Sequence, residues 1–304
     1  MRKFQTGLIL LSILLIFSAC GSKPTERSIT NNTRQDTSVA KGDIKNNTTN
    51  TIPEKTQTNI AQKEGSDTKE QPAVAAEQTA EPKVSNISGS EFAILKGKVI
   101  CVDPGHQKKV DNSTEPLAPG SSIMKVKNPG GAAGRVTGVP EYVLNLNVSE
   151  MLKKELEKNG AKVVMTREAN DVNLGNVKRA EIANEANADL YIRIHADSSD
   201  NTSIKGISVL IPSSKYIKDK NLLSESKTAG TDVLKELVGK TGAKSRGVVE
   251  RDDMTGFNWA KVPMLLVEMG FMSNADEDKL MDTPEYRAKL VNGMVSGIAD
   301  YFRI

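Results

Sequence analysis

The sequence is poor in the residues that define several common classes of protein. Aromatic residues make up 4% of its 304 residues, and it contains two cysteines and two histidines. Two cysteines exclude a disulfide-stapled scaffold. The 41 basic residues against 38 acidic ones leave no positive excess for a nucleic-acid partner. Because histidine is so scarce, any imidazole chemistry must involve His106 or His195.

The only long apolar run lies near the N-terminus and is typical of a signal peptide. Arg2 and Lys3 precede residues 8–17, a run shorter than the about 20 residues that a spanning helix needs. It ends in Phe17-Ser18-Ala19-Cys20, which resembles a bacterial lipobox with Phe17 in the place of leucine. The resemblance implies a lipoprotein signal peptide over residues 1–19 and a lipid anchor on Cys20. The protein would then lie outside the cytoplasm, held at the cell membrane. An ordinary cleaved signal with an incidental cysteine is the alternative.

Residues 20–91 are predicted to form a disordered polar tether. Between residues 21 and 90 there is no Phe, Trp or Tyr, and Thr, Asn, Ser, Gln, Lys, Glu and Ala dominate. Such a composition cannot bury a core. A flexible chain of this length spans about 45 Å on average, which would let a following domain work away from a membrane surface.

Residues 92–304 are predicted to form a single α/β domain with a mostly parallel central sheet covered by helices on both faces. Continuous apolar runs separated by helices are typical of such sheets. Apolar runs predict strands at 99–102, 162–165, 190–194, 206–211 and 264–267. Helical spacing of apolar residues predicts helices at 142–158, 177–187, 222–238 and 284–301.

Polar residues capable of chemistry follow three of the predicted strands. His106 comes shortly after the first, His195 after the third, and Glu268 directly after the last. Sites in parallel sheets lie at the carboxyl ends of strands. A buried structural histidine is the usual explanation for one imidazole there. Here both histidines of the chain follow predicted strands, and this favours a functional site.

Two histidines and one carboxylate would make a zinc site. A hydrolytic zinc site has three protein ligands and one open position. Cys101 lies in an apolar strand pattern and is predicted to be a small buried residue. Glu141 follows Pro140 at a helix start, where an acid also stabilises the helix dipole by about 0.3–1 kcal/mol. Spacing alone therefore leaves the third ligand open. The candidates by position are Asp103, Glu141, Asp197 and Glu268.

Several short motifs are distributed between residue 96 and the C-terminus. They are Val102-Asp103-Pro104-Gly105-His106, Thr166-Arg167, Arg179 with Ala183-Asn184, Ile194-His195-Ala196, Arg246-Gly247, Val262-Pro263 and Leu266-Val267-Glu268-Met269-Gly270-Phe271-Met272-Ser273-Asn274. With these motifs the domain resembles the zinc-dependent N-acetylmuramoyl-L-alanine amidases of the amidase-3 family. Those enzymes cut the bond between muramic acid and the stem peptide of peptidoglycan.

The resemblance implies a ligand set and a mechanism. One Zn²⁺ per domain would be bound by His106, Glu141 and His195, with Glu268 as the catalytic acid/base and Asp103 at most in a supporting role. The implied substrate is peptidoglycan, hydrolysed at the amide between N-acetylmuramic acid and L-alanine by zinc-activated water. No motif identifies an activator protein.

The chain departs from the family pattern between the first two ligands. A long insert rich in glycine and proline separates His106 from Glu141, and Arg193 replaces the usual serine before His195. The insert is expected over the site as a lid or substrate loop, or as a segment that restrains activity.

Two other functions stay open. One is a zinc peptidase that cuts within the stem peptide. The other is a non-catalytic cell-wall-binding lipoprotein, for which a missing metal would be the distinguishing observation.

Overall fold

The computed structural model describes residues 95–303. The predicted signal peptide, Cys20 and the predicted tether lie outside these residues and stay predictions. Within the described range, no helix is long and apolar enough to cross a membrane.

A six-stranded sheet forms the centre of the domain, and a two-stranded sheet lies beside it. The strands are β1 (Val99–Pro104), β2 (Asp111–Pro116), β3 (Met124–Asn128), β4 (Lys162–Met165), β5 (Leu190–Asp197), β6 (Ile207–Pro212), β7 (Ser245–Arg251) and β8 (Met264–Phe271). The central order is β4-β1-β5-β8-β6-β7. Neighbouring strands are parallel except β6 and β8, which are antiparallel. The prediction of a mostly parallel sheet is confirmed.

Six helices complete the described part of the domain. They are α1 (Glu141–Lys158), α2 (Asn176–Glu185), α3 (Lys220–Thr241), α4 (Thr255–Asn258), α5 (Ala275–Met281) and α6 (Pro284–Phe302). Polar side chains cap the N-termini of several helices. Asp219 accepts hydrogen bonds from backbone N–H groups in the first turn of α3, and Thr283 accepts one from the N–H of Tyr286 in α6. Gly242 ends α3 with a φ of 70°, a left-handed conformation that favours glycine. The four predicted helices are all present.

Both faces of the central sheet are buried, as predicted. On the larger side, α1, α3 and α6 pack on side chains such as Val102, Ile194 and Val267. On the smaller side, α2 and α4 cover Cys101 and Tyr191. Side chains alternate between the two faces along a strand. Cys101 is fully buried there, in agreement with its predicted role as a small apolar residue.

The alternation along the strands places the functional side chains on the smaller face. In β5, His195 shares this face with Tyr191, and in β8 Glu268 shares it with Leu266. Because β1, β5 and β8 are parallel, their carboxyl ends meet at one edge of the sheet. His195 and Glu268 were expected just after their strands. Both instead lie within the C-terminal halves of longer strands, because backbone pairing continues beyond the apolar runs.

The insert after His106 forms a β-hairpin of β2 and β3, which the sequence did not predict. Glu115 of the hairpin is buried, and its carboxylate accepts hydrogen bonds from the backbone N–H groups of Asn176 and Val177 at 2.7 and 3.2 Å. It therefore caps the start of α2. The indole N–H of Trp259 donates to the Pro116 carbonyl at 2.9 Å. The hairpin is thus fixed against α2 and the end of α4. Its role as a lid, a substrate loop or a restraint stays a prediction.

Candidate metal centre

The structure brings together His106, Glu141 and His195, the three residues predicted to bind the metal. His106 lies just beyond β1, Glu141 is the first residue of α1, and His195 lies near the end of β5. The Glu141 carboxylate is 3.3 Å from Nε2 of His106 and 3.2 Å from Nδ1 of His195. One ligand atom from each residue lies within 4.8 Å of the other two.

Backbone and side-chain donors fix the Glu141 carboxylate. Its side chain is buried, and it accepts hydrogen bonds from the N–H groups of Ala132 at 2.9 Å and Ala196 at 3.2 Å. The Asn145 amide donates to it at 3.2 Å and to the Gly105 carbonyl at 3.3 Å. The ligand on α1 is therefore tied to the segments that carry both histidines. Sequence reasoning missed Asn145, although its position four residues after Glu141 puts it on the same helix face.

The charge states of His106 and Glu141 suit a metal. Burial of the imidazole and the nearby His195 lower the pKa of His106 to about 4, so this ring is neutral at pH 7. Burial alone would raise the pKa of Glu141, but the hydrogen bond from His195 and the nearby imidazoles lower it to about 2. Metal ligands must be neutral histidine and ionised carboxylate. Two imidazoles and one carboxylate form a donor set that zinc accepts.

Two glycines allow the ligands to pack this closely. A Cβ atom on Gly105 would lie 2.3 Å from Nε2 of His195, and one on Gly131 would lie 2.7 Å from Oε2 of Glu141. Side chains at these positions would collide with the ligands. The Gly-rich end of the insert is thus part of the wall of the site.

Glu268 lies beside the cluster, opposite His195 in the register of β5 and β8. Its Oε2 atom is buried and has no hydrogen-bond partner among the described residues. Burial, with the nearby Glu141 and Asp197 carboxylates, raises the pKa of Glu268 well above its ordinary value. A carboxylate with a raised pKa next to metal ligands is suited to take and return a proton.

Asp103 was a candidate ligand by position, but the structure places it outside the three-residue cluster. Its carboxylate accepts from Nη1 of Arg179 at 2.5 Å and from Nε of Arg193 at 2.7 Å, and also from the hydroxyls of Tyr191 and Thr166. Asp103 is thus bound to two arginines, and its supporting role in the site stays a prediction. Arg193, where the family has serine, is one of these partners. The half-buried Asp197 is not a member of the three-residue cluster.

Asp103→Asn is expected to destabilise the fold by about 3–5 kcal/mol, because it leaves buried Arg179 and Arg193 without a counter-charge. Burial opposes ionisation, but the two arginines hold the pKa of Asp103 well below its usual range. Its contribution is therefore present above about pH 4, the ordinary pKa of an aspartate, and decreases as the pH falls below that value.

Urea unfolding at neutral and acidic pH measures this effect. The matched control is Asp253→Asn, which breaks an exposed pair with Arg251 and should cost less than about 1 kcal/mol. Equal losses in the two variants would contradict the assignment.

A mostly parallel α/β sheet with a His-His-Glu cluster and a buried glutamate at its carboxyl edge is the arrangement of a hydrolase. The model of the N-acetylmuramoyl-L-alanine amidase family (Amidase_3) matches residues 100–300, and the chain belongs to this family. The predicted enzyme class, an amidase that hydrolyses peptidoglycan, is confirmed at the level of the family.

Individual relatives agree with this assignment. An N-acetylmuramoyl-L-alanine amidase of Mycobacterium tuberculosis is 27% identical over 233 residues, covering 73% of this chain and 93% of that protein. AmiA of Salmonella typhimurium is 25% identical over 259 residues, covering 71% of this chain and 87% of that protein. The crystal structure of the amidase Ami1 from Mycobacterium smegmatis matches with a TM-score of 0.62 and 27% identity, over 69% of this chain and 98% of that one.

Proposed function

We propose that this enzyme hydrolyses the amide between N-acetylmuramic acid and L-alanine with one zinc ion held by His106, Glu141 and His195. The observation that carries the proposal is the approach of the three ligand atoms to within 4.8 Å, with Glu268 in register beside His195. The names of the relatives support the substrate.

The metal site and Glu268 have separate roles in the proposed hydrolysis. When bound, zinc supplies Lewis acidity, which activates water and polarises a carbonyl. Glu268 takes the proton from the attacking water and returns it to the leaving alanine nitrogen, as a positioned carboxylate can in two steps. Its Oε2 atom is buried without a partner among residues 95–303, which leaves that oxygen for this exchange.

Mass spectrometry of the fragments released from purified peptidoglycan tests the proposal, with and without a metal chelator. Free stem peptides that begin in alanine are expected, lost on chelation and restored by zinc. Fragments cut within the stem or cross-bridge would contradict the amidase and support the zinc peptidase. Intact wall material that nevertheless binds the protein would support a non-catalytic binding protein.

We also propose that the enzyme is a lipoprotein, attached through Cys20 to the outer side of the bacterial cell membrane and reaching peptidoglycan on the tether of residues 20–91. The lipobox-like residues 17–20 support the anchor. Cys20→Ser should move the protein out of the membrane fraction. A wild-type protein that is already absent from the membrane fraction would favour the ordinary cleaved signal.

A further inference from the structure

The backbone at His106 has an unusual conformation. Its φ is 55°, in the left-handed region, and Asn187 is the one other non-glycine residue with positive φ in the described range. L-residues rarely adopt this conformation, so the surroundings must hold it. The preceding segment has left the β1 pairing with β4, and the Gly105 N–H donates to the Ile194 carbonyl at 2.9 Å. The direction of the His106 side chain therefore depends on the contacts that hold the backbone of residues 104–106.

Arg167, which directly follows Thr166 beyond β4, contacts this segment. Its side chain is buried, and its Nε donates to the Pro104 carbonyl at 2.9 Å. One Nη2 hydrogen bond reaches the Gly105 carbonyl at 3.0 Å, and another reaches the Tyr142 carbonyl at 2.9 Å. Tyr142 is the residue after Glu141. One guanidinium therefore joins the segment that leads to His106 with the first turn of α1.

The remaining donors of Arg167 fix the orientation of the guanidinium itself. Nη1 donates to the Ala169 carbonyl at 3.2 Å and to Oδ1 of Asn170 at 3.1 Å. All five N–H groups of the guanidinium are thus used, and every acceptor is an uncharged oxygen. A planar fork can bind several carbonyls in this way, whereas the ammonium of lysine has three donors on one nitrogen.

Arg167 forms no direct ion pair among residues 95–303, unlike its neighbour Arg179, which pairs with Asp103; the Asp103 and Glu150 carboxylates act on Arg167 only from farther away. Burial lowers the pKa of Arg167 to about 10, so it still carries a charge at neutral pH. Burying a charge without a partner of opposite sign is unfavourable. Three of its five compensating hydrogen bonds, those to Pro104, Gly105 and Tyr142, lie on the two segments that carry the proposed metal ligands.

We infer that Arg167 is a positioning residue that sets the separation of His106 and Glu141 and so tunes the affinity for the metal. The inference rests on the metal centre proposed above. Arg167 does not reach the cluster itself; it acts through the Pro104 and Gly105 carbonyls on one side and the Tyr142 carbonyl on the other.

The test is the Zn²⁺ affinity of the full-length protein, measured by competition with a chromogenic chelator, together with the visible absorption of the Co²⁺-loaded protein. Arg167→Lys should bind Zn²⁺ about 10- to 100-fold more weakly, the range found for residues that orient metal ligands. Its Co²⁺ spectrum should also change, which a loss of fold stability alone would not cause. A folded Arg167→Lys protein with wild-type affinity and spectrum would overturn the inference.

Arg287→Lys is the matched control. Arg287 also donates to a carbonyl, that of Met281 at 2.9 Å, and to Asp282, but it contacts none of the ligand segments. Its affinity for Zn²⁺ should be unchanged. If Arg167→Lys does not fold, Asn170→Ala decides: removing this one acceptor should weaken binding several-fold, and unchanged binding would overturn the inference. A wild-type protein that binds no Zn²⁺ would instead refute the proposed metal centre.

Discussion

Replacing Glu268 by Gln is expected to slow the release of stem peptides by about 10²- to 10⁴-fold, the usual contribution of a general base. The amide of Gln has nearly the same shape but cannot accept and return a proton at neutral pH. Glu268 is not one of the three residues whose ligand atoms cluster, so Zn²⁺ binding should survive the change. The rate on a soluble muropeptide and the Zn²⁺ affinity, measured on the same preparation, check both statements.

The matched control for this variant is Glu157→Gln. Glu157 is an exposed carboxylate of α1 that pairs with Lys153, and its loss should leave turnover at the wild-type rate. Activity close to wild type in Glu268→Gln would refute the role of Glu268. A loss of both turnover and Zn²⁺ binding would instead mean that Glu268 helps to hold the metal.

Glu141→Gln is expected to abolish the stabilisation of the protein by zinc. At free Zn²⁺ 100 times its dissociation constant, binding to the wild type adds about 2.7 kcal/mol of stability. For a domain of this size that raises Tm by about 5–11 °C. Gln removes the negative charge that lies between His106 and His195. The affinity for Zn²⁺ should therefore fall by more than about 100-fold, the largest loss typical of residues that only orient metal ligands. Thermal unfolding with and without Zn²⁺ measures the difference.

Glu115→Gln separates this effect from the general cost of changing a buried carboxylate. Glu115 is buried like Glu141 but caps α2 instead of joining the histidines. Its variant should be less stable yet keep the full increase in Tm on adding zinc. An undiminished increase in Glu141→Gln would contradict the assignment of Glu141 as a ligand.

The strands and helices that the sequence predicted are those with a strong apolar pattern. β7 was missed because Ser245–Arg251 has only two apolar residues and lies at the edge of the sheet, largely exposed. The β2–β3 hairpin was missed because Asp111–Pro116 contains no apolar run. Tertiary contacts stabilise it instead, through Glu115 and Trp259. Local patterns cannot reveal such contacts.

The site was predicted in part from the residues and in part from the family resemblance. Strand-end placement indicated His106, His195 and Glu268, but it left four carboxylates as the third ligand. Glu141 was selected by resemblance, and the structure now places its carboxylate between the two imidazoles. Asp103 could not be excluded from spacing because its partners, Arg179 and Arg193, come from distant parts of the chain. The role inferred for Arg167 depends on carbonyl groups, which the sequence does not distinguish.

The contact between Trp259 and the hairpin gives the protein a built-in optical reporter. Trp259 is the only tryptophan in the chain, so the indole fluorescence comes from one place. Its N–H is bound to the Pro116 carbonyl at the end of β2. Release of the hairpin would expose the ring to water, shift its emission to longer wavelength and open it to quenching by iodide. Fluorescence of Trp259 can thus report in solution, without an attached dye, whether the hairpin moves during turnover.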